Sequence, residues 1–188
     1  LEMIRLLTPA LRVWADRADV AAVVITAAGD KAFCAGGDIQ ALYHAIGANH
    51  KAGQQVDPYP FDFFAEEYRL DYLIHTFPKP LICLGHGIVM GGGVGVSVHG
   101  SHRIVTEATT FAMPETGIGL FPDVGGTYFL PRCPGETGMY MGLTGARLKA
   151  GDTLYAGVGT HFVPRQRLPD LKRALMTFAS VDEAIQQY

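Results

Sequence analysis

The chain has 188 residues, is 48% apolar and 18% charged, and carries a net charge of −3. That composition suits a globular domain with its own core and gives no electrostatic case for binding nucleic acid or an anionic membrane. No apolar run reaches the roughly 18 residues of a membrane span, the first residues lack a signal-peptide layout, and three widely spaced cysteines (Cys34, Cys83, Cys133) form no CxxC or metal pattern, so the expected setting is a reducing cytoplasm.

Residues 1–16 are predicted to be helical, because Ile4, Leu7, Leu11 and Trp14 recur every three to four positions. "VAAVVIT" (20–26) reads as a buried strand. "AAGDKAFCAGGDI" supplies turn residues, and Asp38 is placed to start a helix running through Ala45. Residues 47–60, with Gly, Gln, Asp and two prolines, are expected to form a loop or mobile insertion. A helix over 63–77 stops before Pro78 and Pro80. Residues 81–100 read as strand, glycine turn and helix, and "HRIVTE" (102–107) as another strand. Helices are expected over 136–143 and 149–156, a short strand over 160–164, and a capping box pairing Ser180 with Glu183. The alternation of strand and helix argues an α/β fold. The chain opens inside one helix and closes inside another, the look of a single domain over 1–188 truncated at both ends.

Glycine is unusually frequent, at 23 residues, and clusters around 85–100 and 117–126. Two turns, "CAGGD" (34–38) and "MGGGVG" (90–95), follow apolar stretches and lead into helices. Backbone N–H groups exposed there suit an anion, and two such groups converging from separate loops would make an oxyanion hole. Between Glu107 and Arg132 the only charged residues are Glu115 and Asp123, set among Gly, Pro, Ile, Leu and Phe with no cation nearby in sequence. Carboxylates are rarely buried unless paired or functional. Rival motifs fail. The dinucleotide fingerprint beginning at Gly93 meets Val98 where it needs glycine, no lysine follows a glycine run as a phosphate-binding loop requires, and His99 stands where a nucleophile elbow needs glycine. Of seven histidines only His99 and His102 lie close, so no metal is expected; His86 and His99 read as packing or loop residues.

"DKAFCAGGDI" (30–39), "PKPLICLGHGIVMGGGVGVSVHGSHRIVTE" (78–107) and "FAMPETGIGLFPDVGGTYFLPR" (111–132) resemble the crotonase superfamily, the enoyl-CoA hydratase/isomerase fold. The resemblance extends over about residues 1–164, and within the superfamily it is strongest to the 3-hydroxyisobutyryl-CoA hydrolase branch. It implies a spiral of ββα units with C-terminal helices. It also implies an acyl-CoA thioester as substrate, hence no separate cofactor, a homo-oligomer (trimer or hexamer), and a step of valine breakdown, in the mitochondrial matrix if the source is eukaryotic. By motif position it assigns the oxyanion hole to the N–H groups of Gly37 and Gly92. A typical hydratase has a second glutamate three residues after that second glycine, where this chain has Gly95. The hydrolase branch also has glycine there, keeps the "PET" glutamate, here Glu115, and adds the aspartate of "PDVGG", here Asp123. On that resemblance Glu115 attacks the thioester or activates water, and Asp123 binds the 3-hydroxyl group. Glu67 of "EEY" lies at the substrate, and Ala35, Asp38 and Ile39 border it. A solvated helix face beside Glu66 and Arg69 remains an alternative for Glu67, and a helix N-cap an alternative for Asp123. An isomerase using Glu115 alone, or a non-catalytic acyl-CoA-binding relative, also stays open.

Overall fold

The computed structural model of the chain describes residues 1–177 and 180–188. Helix α1 (Glu2–Asp16) buries Ile4 and Leu11 and packs Leu7 and Trp14 beside them, as the spacing requires. Strands β1 (Val23–Ile25) and β2 (Ala32–Cys34) lead to α2 (Ile39–Ala52) and α3 (Tyr59–His75). Strands β3 (Leu81–Gly85) and β4 (Ile88–Met90) lead to α4 (Gly92–Val98), and β5 (His102–Val105) and β6 (Thr110–Ala112) lead to α5 (Gly126–Phe129). The chain continues through α6 (Thr137–Thr144), α7 (Ala150–Tyr155), β7 (His161–Phe162), α8 (Leu168–Leu175) and α9 (Val181–Ile185).

The strands divide by parity. Odd strands form a four-stranded sheet in the order β1-β3-β5-β7, and even strands form a three-stranded sheet β2-β4-β6, with every pair within the sheets parallel. Each ββα unit therefore adds one strand to each sheet and a helix beyond, which is the expected spiral. Strand β3 pairs Leu81 with Val23 on one side and Ile82 with His102 on the other. All five of its residues are buried, as a central parallel strand demands. Its alternation splits the core: Leu81 and Cys83 join the cluster under α1, α3 and α4, while Ile82 and Leu84 pack with Leu168, Leu171 and Ile185 from α8 and α9.

Four expectations need correction. The loop over 47–60 shrinks to 53–58, because α2 runs on past Ala45 to Ala52 and ends only at Gly53, whose left-handed backbone (φ 62°) closes the helix. The segment predicted as turn over 27–39 contains β2, and the strand–turn–helix over 81–100 contains the additional strand β4. Of the Ser180–Glu183 pair only one half forms: the Ser180 hydroxyl accepts from the Glu183 N–H. Among the described residues, no helix is long and apolar enough to cross a membrane.

Candidate active site

The site is built where α3 lies on α4. The buried face of α3 reads Phe63, Glu67, Leu70, Asp71, Ile74, so two carboxylates one helical turn apart sit in an otherwise apolar stripe. Opposite them α4 offers Gly92, Gly93 and Gly95, and the missing side chains make the room. A Cβ on Gly92 would lie 2.3 Å from Glu67 Oε1, and one on Gly95 would lie 2.6 Å and 2.9 Å from the two carboxyl oxygens of Asp71. The Phe63 ring covers Gly37 in the same way, leaving only 2.5 Å for a Cβ there. A Cβ at 37 or 92 would therefore have to displace a side chain of α3, the Phe63 ring or the Glu67 carboxyl.

The two glycine turns touch. A Cβ on Gly36 would stand 3.3 Å from the Gly92 amide nitrogen, and one on Gly93 would stand 2.1 Å from the Cys34 carbonyl oxygen. Gly36 (φ 100°) and Gly91 (φ 54°) adopt backbone that other residues rarely take, turning each strand sharply toward its helix. Among the described residues, neither Gly37 nor Gly92 uses its N–H in a backbone hydrogen bond of a turn, loop or cap.

The carboxylates collect around this junction. Glu115 follows β6 at the start of a short 3-10 turn, is only 5% exposed, and sets Oε1 against Gly91, where a Cβ would meet it at 3.2 Å. Its Oε2 is buried and unpartnered among the described residues. Burial raises its carboxyl to about 7; its own backbone N–H opposes the rise and Asp123 adds to it. Asp123 is also buried, and Oδ2 accepts a 2.9 Å hydrogen bond from the Tyr68 hydroxyl. Burial raises Asp123 as well, with the Tyr68 hydroxyl pulling the other way. Its neighbour Val124 is forced to φ 44°, strained for a β-branched residue, and is held there by the His99 Nε2–H donating to its carbonyl at 2.8 Å. The N-cap of α5 is Gly125, so Asp123 does not serve as that cap.

Glu67 is buried, and it is Glu66 that takes the solvated role, bonding Arg5 at 2.6 Å. Burial, then the charges of Asp123 and Glu115, raise Glu67 to about 7. Asp38 turns its carboxylate back to accept the Ala41 N–H at 3.0 Å and caps α2; Ala35 and Ile39 are exposed beside it. None of Glu67, Asp71, Glu115 and Asp123 forms an ion pair among the described residues. Sequence reasoning missed Asp71 and Tyr68. The signal for Asp71 was its spacing: four residues after Glu67 on one helix, it must share that residue's face.

Parallel strands sorted by parity, paired glycine turns and a carboxylate cluster over them define a class, and the comparisons agree. The chain belongs to the enoyl-CoA hydratase/isomerase family, whose model matches residues 1–188. It is 52% identical to the mitochondrial 3-hydroxyisobutyryl-CoA hydrolase of Xenopus tropicalis over 94% of this chain and 44% of that protein, and 49% identical to the Homo sapiens protein of the same name over 96% and 45%. The chain thus spans just under half the length of these relatives. Among solved structures it is similar to a carnitinyl-CoA dehydratase from Mycobacterium thermoresistibile (TM-score 0.90, 41% identity, 99% of this chain and 52% of that one). It is also similar to an enoyl-CoA hydratase from Rhodobacter sphaeroides 2.4.1 (TM-score 0.82, 46% identity, 93% and 50%).

Proposed function

We propose that the chain is the catalytic part of an acyl-CoA thioester hydrolase that converts 3-hydroxyisobutyryl-CoA to 3-hydroxyisobutyrate and CoA. The observation that carries this reading is the pairing of Gly95, which removes the second hydratase glutamate, with a buried, half-unpartnered Glu115 against the Gly91–Gly92 turn. The names of the curated relatives support it. The N–H groups of Gly37 and Gly92 hold the thioester oxygen as negative charge develops; one such donor typically contributes about 3 kcal/mol. Glu115 attacks the carbonyl or draws a proton from water, and a carboxyl raised to about 7 suits proton transfer near neutral pH. CoA leaves as the thiolate. Asp123, steadied by Tyr68, binds the 3-hydroxyl group, and Glu67 anchors the acyl group beside Gly92. Ala35, Asp38 and Ile39 border the CoA. The protein needs no cofactor and works as a homo-oligomer, trimer or hexamer as in its family. It serves valine breakdown, in the mitochondrial matrix if eukaryotic and in the cytoplasm otherwise.

The test is release of free thiol from 3-hydroxyisobutyryl-CoA by the full-length protein, with Glu115→Gln abolishing it, since an amide is neither nucleophile nor base here. A second reading is enoyl-CoA hydration, favoured by the carboxyl that Asp71 brings to Gly95 from another helix. Substantial hydration of crotonyl-CoA without thiol release would establish it over the first.

A further inference from the structure

Asp71 is the acid that the reading above leaves without work. It is 5% exposed, and among the described residues neither carboxyl oxygen has a hydrogen-bond partner. A buried carboxyl with no partner is costly unless something outside the protein chain meets it. Beside it lies a cavity of about 260 Å³, lined by Tyr68, Asp71, Tyr72, His75, His99 and Tyr128 together with Gly125. Tyr72 and Tyr128 are each more than half exposed, so the cavity opens to solvent there and closes inward on Asp71. At about 30 Å³ per water, it holds several. Tyr68 belongs to both sides, lining this cavity and bonding Asp123 through its hydroxyl.

Thioester hydrolysis sets a requirement. The oxygen of water forms a bond to the acyl carbon as the C–S bond breaks. One water proton ends on the CoA sulfur, and the other leaves the product carboxylic acid and must reach bulk solvent. An acyl-CoA seated on the Gly37 and Gly92 turns blocks the direct route. We propose that the Tyr68–His99 cavity is the rear path by which water enters and the surplus proton leaves, with Asp71 as the proton-carrying residue between it and the carboxylates. The inference rests on the hydrolase reading. Asp71 lies within reach of the charges of Glu67 on its own helix and of Asp123, and it shares the cavity with Tyr68, Tyr72 and His75 of α3, His99 at the end of α4 and Tyr128 of α5. Burial, then Glu67 and Asp123, raise Asp71 to about 8, so near neutral pH it holds the proton it would pass on.

The experiment measures thiol release from 3-hydroxyisobutyryl-CoA by full-length wild type, Asp71→Asn and Asp71→Ala, with formate or formamide added. Asn keeps the size and loses the acidic proton; Ala leaves room for a small acid. Asp71→Asn is expected to lower kcat at least about 10-fold with KM within about 2-fold, as for loss of a proton-transfer group. Formate, and not formamide, should restore kcat to Asp71→Ala in a saturable way. Should Asp71→Asn not fold, the Asp71→Ala arm decides alone. A wild-type kcat in Asp71→Asn, or equal rescue by formamide, overturns the relay while the hydrolase reading stands. A wild type that releases no thiol overturns both.

Discussion

Gly93→Ala tests whether the two glycine turns act as one device. A Cβ at 93 would sit 2.1 Å from the Cys34 carbonyl oxygen and 2.7 Å from its carbon, against a limit of 3.0 Å, so the turns must part by about 0.9 Å. The obstacle is backbone and cannot rotate aside, in contrast to Gly92, whose nearest neighbour is the end of the Glu67 side chain. Overpacking of this kind costs about 1–3 kcal/mol, which for a chain of this size lowers the melting temperature by roughly 2–4 °C per kcal/mol. The effect on turnover should be larger than the effect on stability. Misplacing reacting groups by about 1 Å costs on the order of 100-fold, and Gly37 and Gly92 are carried on the two turns being separated. The assay is thiol release by the full-length variant beside its calorimetric melting curve. A Gly93→Ala protein with kcat/KM within about 3-fold of wild type would refute the idea that contact between the turns sets the site.

Asp123→Asn should reduce thiol release from 3-hydroxyacyl-CoA more than from an acyl-CoA without the hydroxyl, because only the former offers a group to bind; equal loss on both would remove that role from Asp123. Tyr68→Phe deletes the 2.9 Å hydrogen bond to Asp123, and a hydrogen bond to a charged group contributes about 1.5–3 kcal/mol. The acid limb of the pH–rate profile should therefore move up by about one to two units, and an unmoved limb counts against Asp123 as the titrating group. The buried acids also fix how stability responds to pH. Between about pH 4 and 8 the unfolded chain has released protons that Glu67, Glu115 and Asp71 retain at about 7, 7 and 8, so folding takes up protons and stability falls as pH rises through that window. His99, lowered by burial, works in the opposite sense below its usual titration. The difference between wild type and Asp71→Asn in denaturation midpoint isolates the acid: it should grow in favour of the variant from pH 5 to pH 8, and a flat difference rejects it.

Strands β1, β3 and β5 were legible because each carries β-branched or aliphatic residues in a run long enough to read, "VAAVVIT", "LICLG" and "HRIVTE", although only β3 is buried throughout. Strands β2, β4 and β6 were not: "AFC", "IVM" and "TFA" are three residues each, bracketed by turn residues and too short for any period to show. Residues 47–52 were misread because Gly47 suggested a loop, although the helix tolerates it and stops only at Gly53. Glu115 and Asp123 stood out as lone charges in an apolar stretch. Asp71 did not, since "EEYRLD" carries charges on both faces of α3 and only packing against Gly95 shows which are buried. The resemblance supplied roles for Gly37 and Gly92; that the Phe63 ring and the Glu67 carboxyl pack upon them is a tertiary fact.

The sorting of strands by parity has a consequence for folding kinetics. The "CAGGD" turn belongs to the first ββα unit, the "MGGGVG" turn to the second, Glu115 and Asp123 to the third, and Glu67 and Asp71 to a helix between the first and second. No contiguous segment holds the site, and it is complete only when three turns of the spiral have stacked. Recovery of turnover during refolding should lag behind recovery of helical signal, because helices form from local contacts while the site waits for the last unit to dock. The catalytic assay would then serve as a clock for the final assembly step, reporting an event to which far-ultraviolet dichroism is nearly blind.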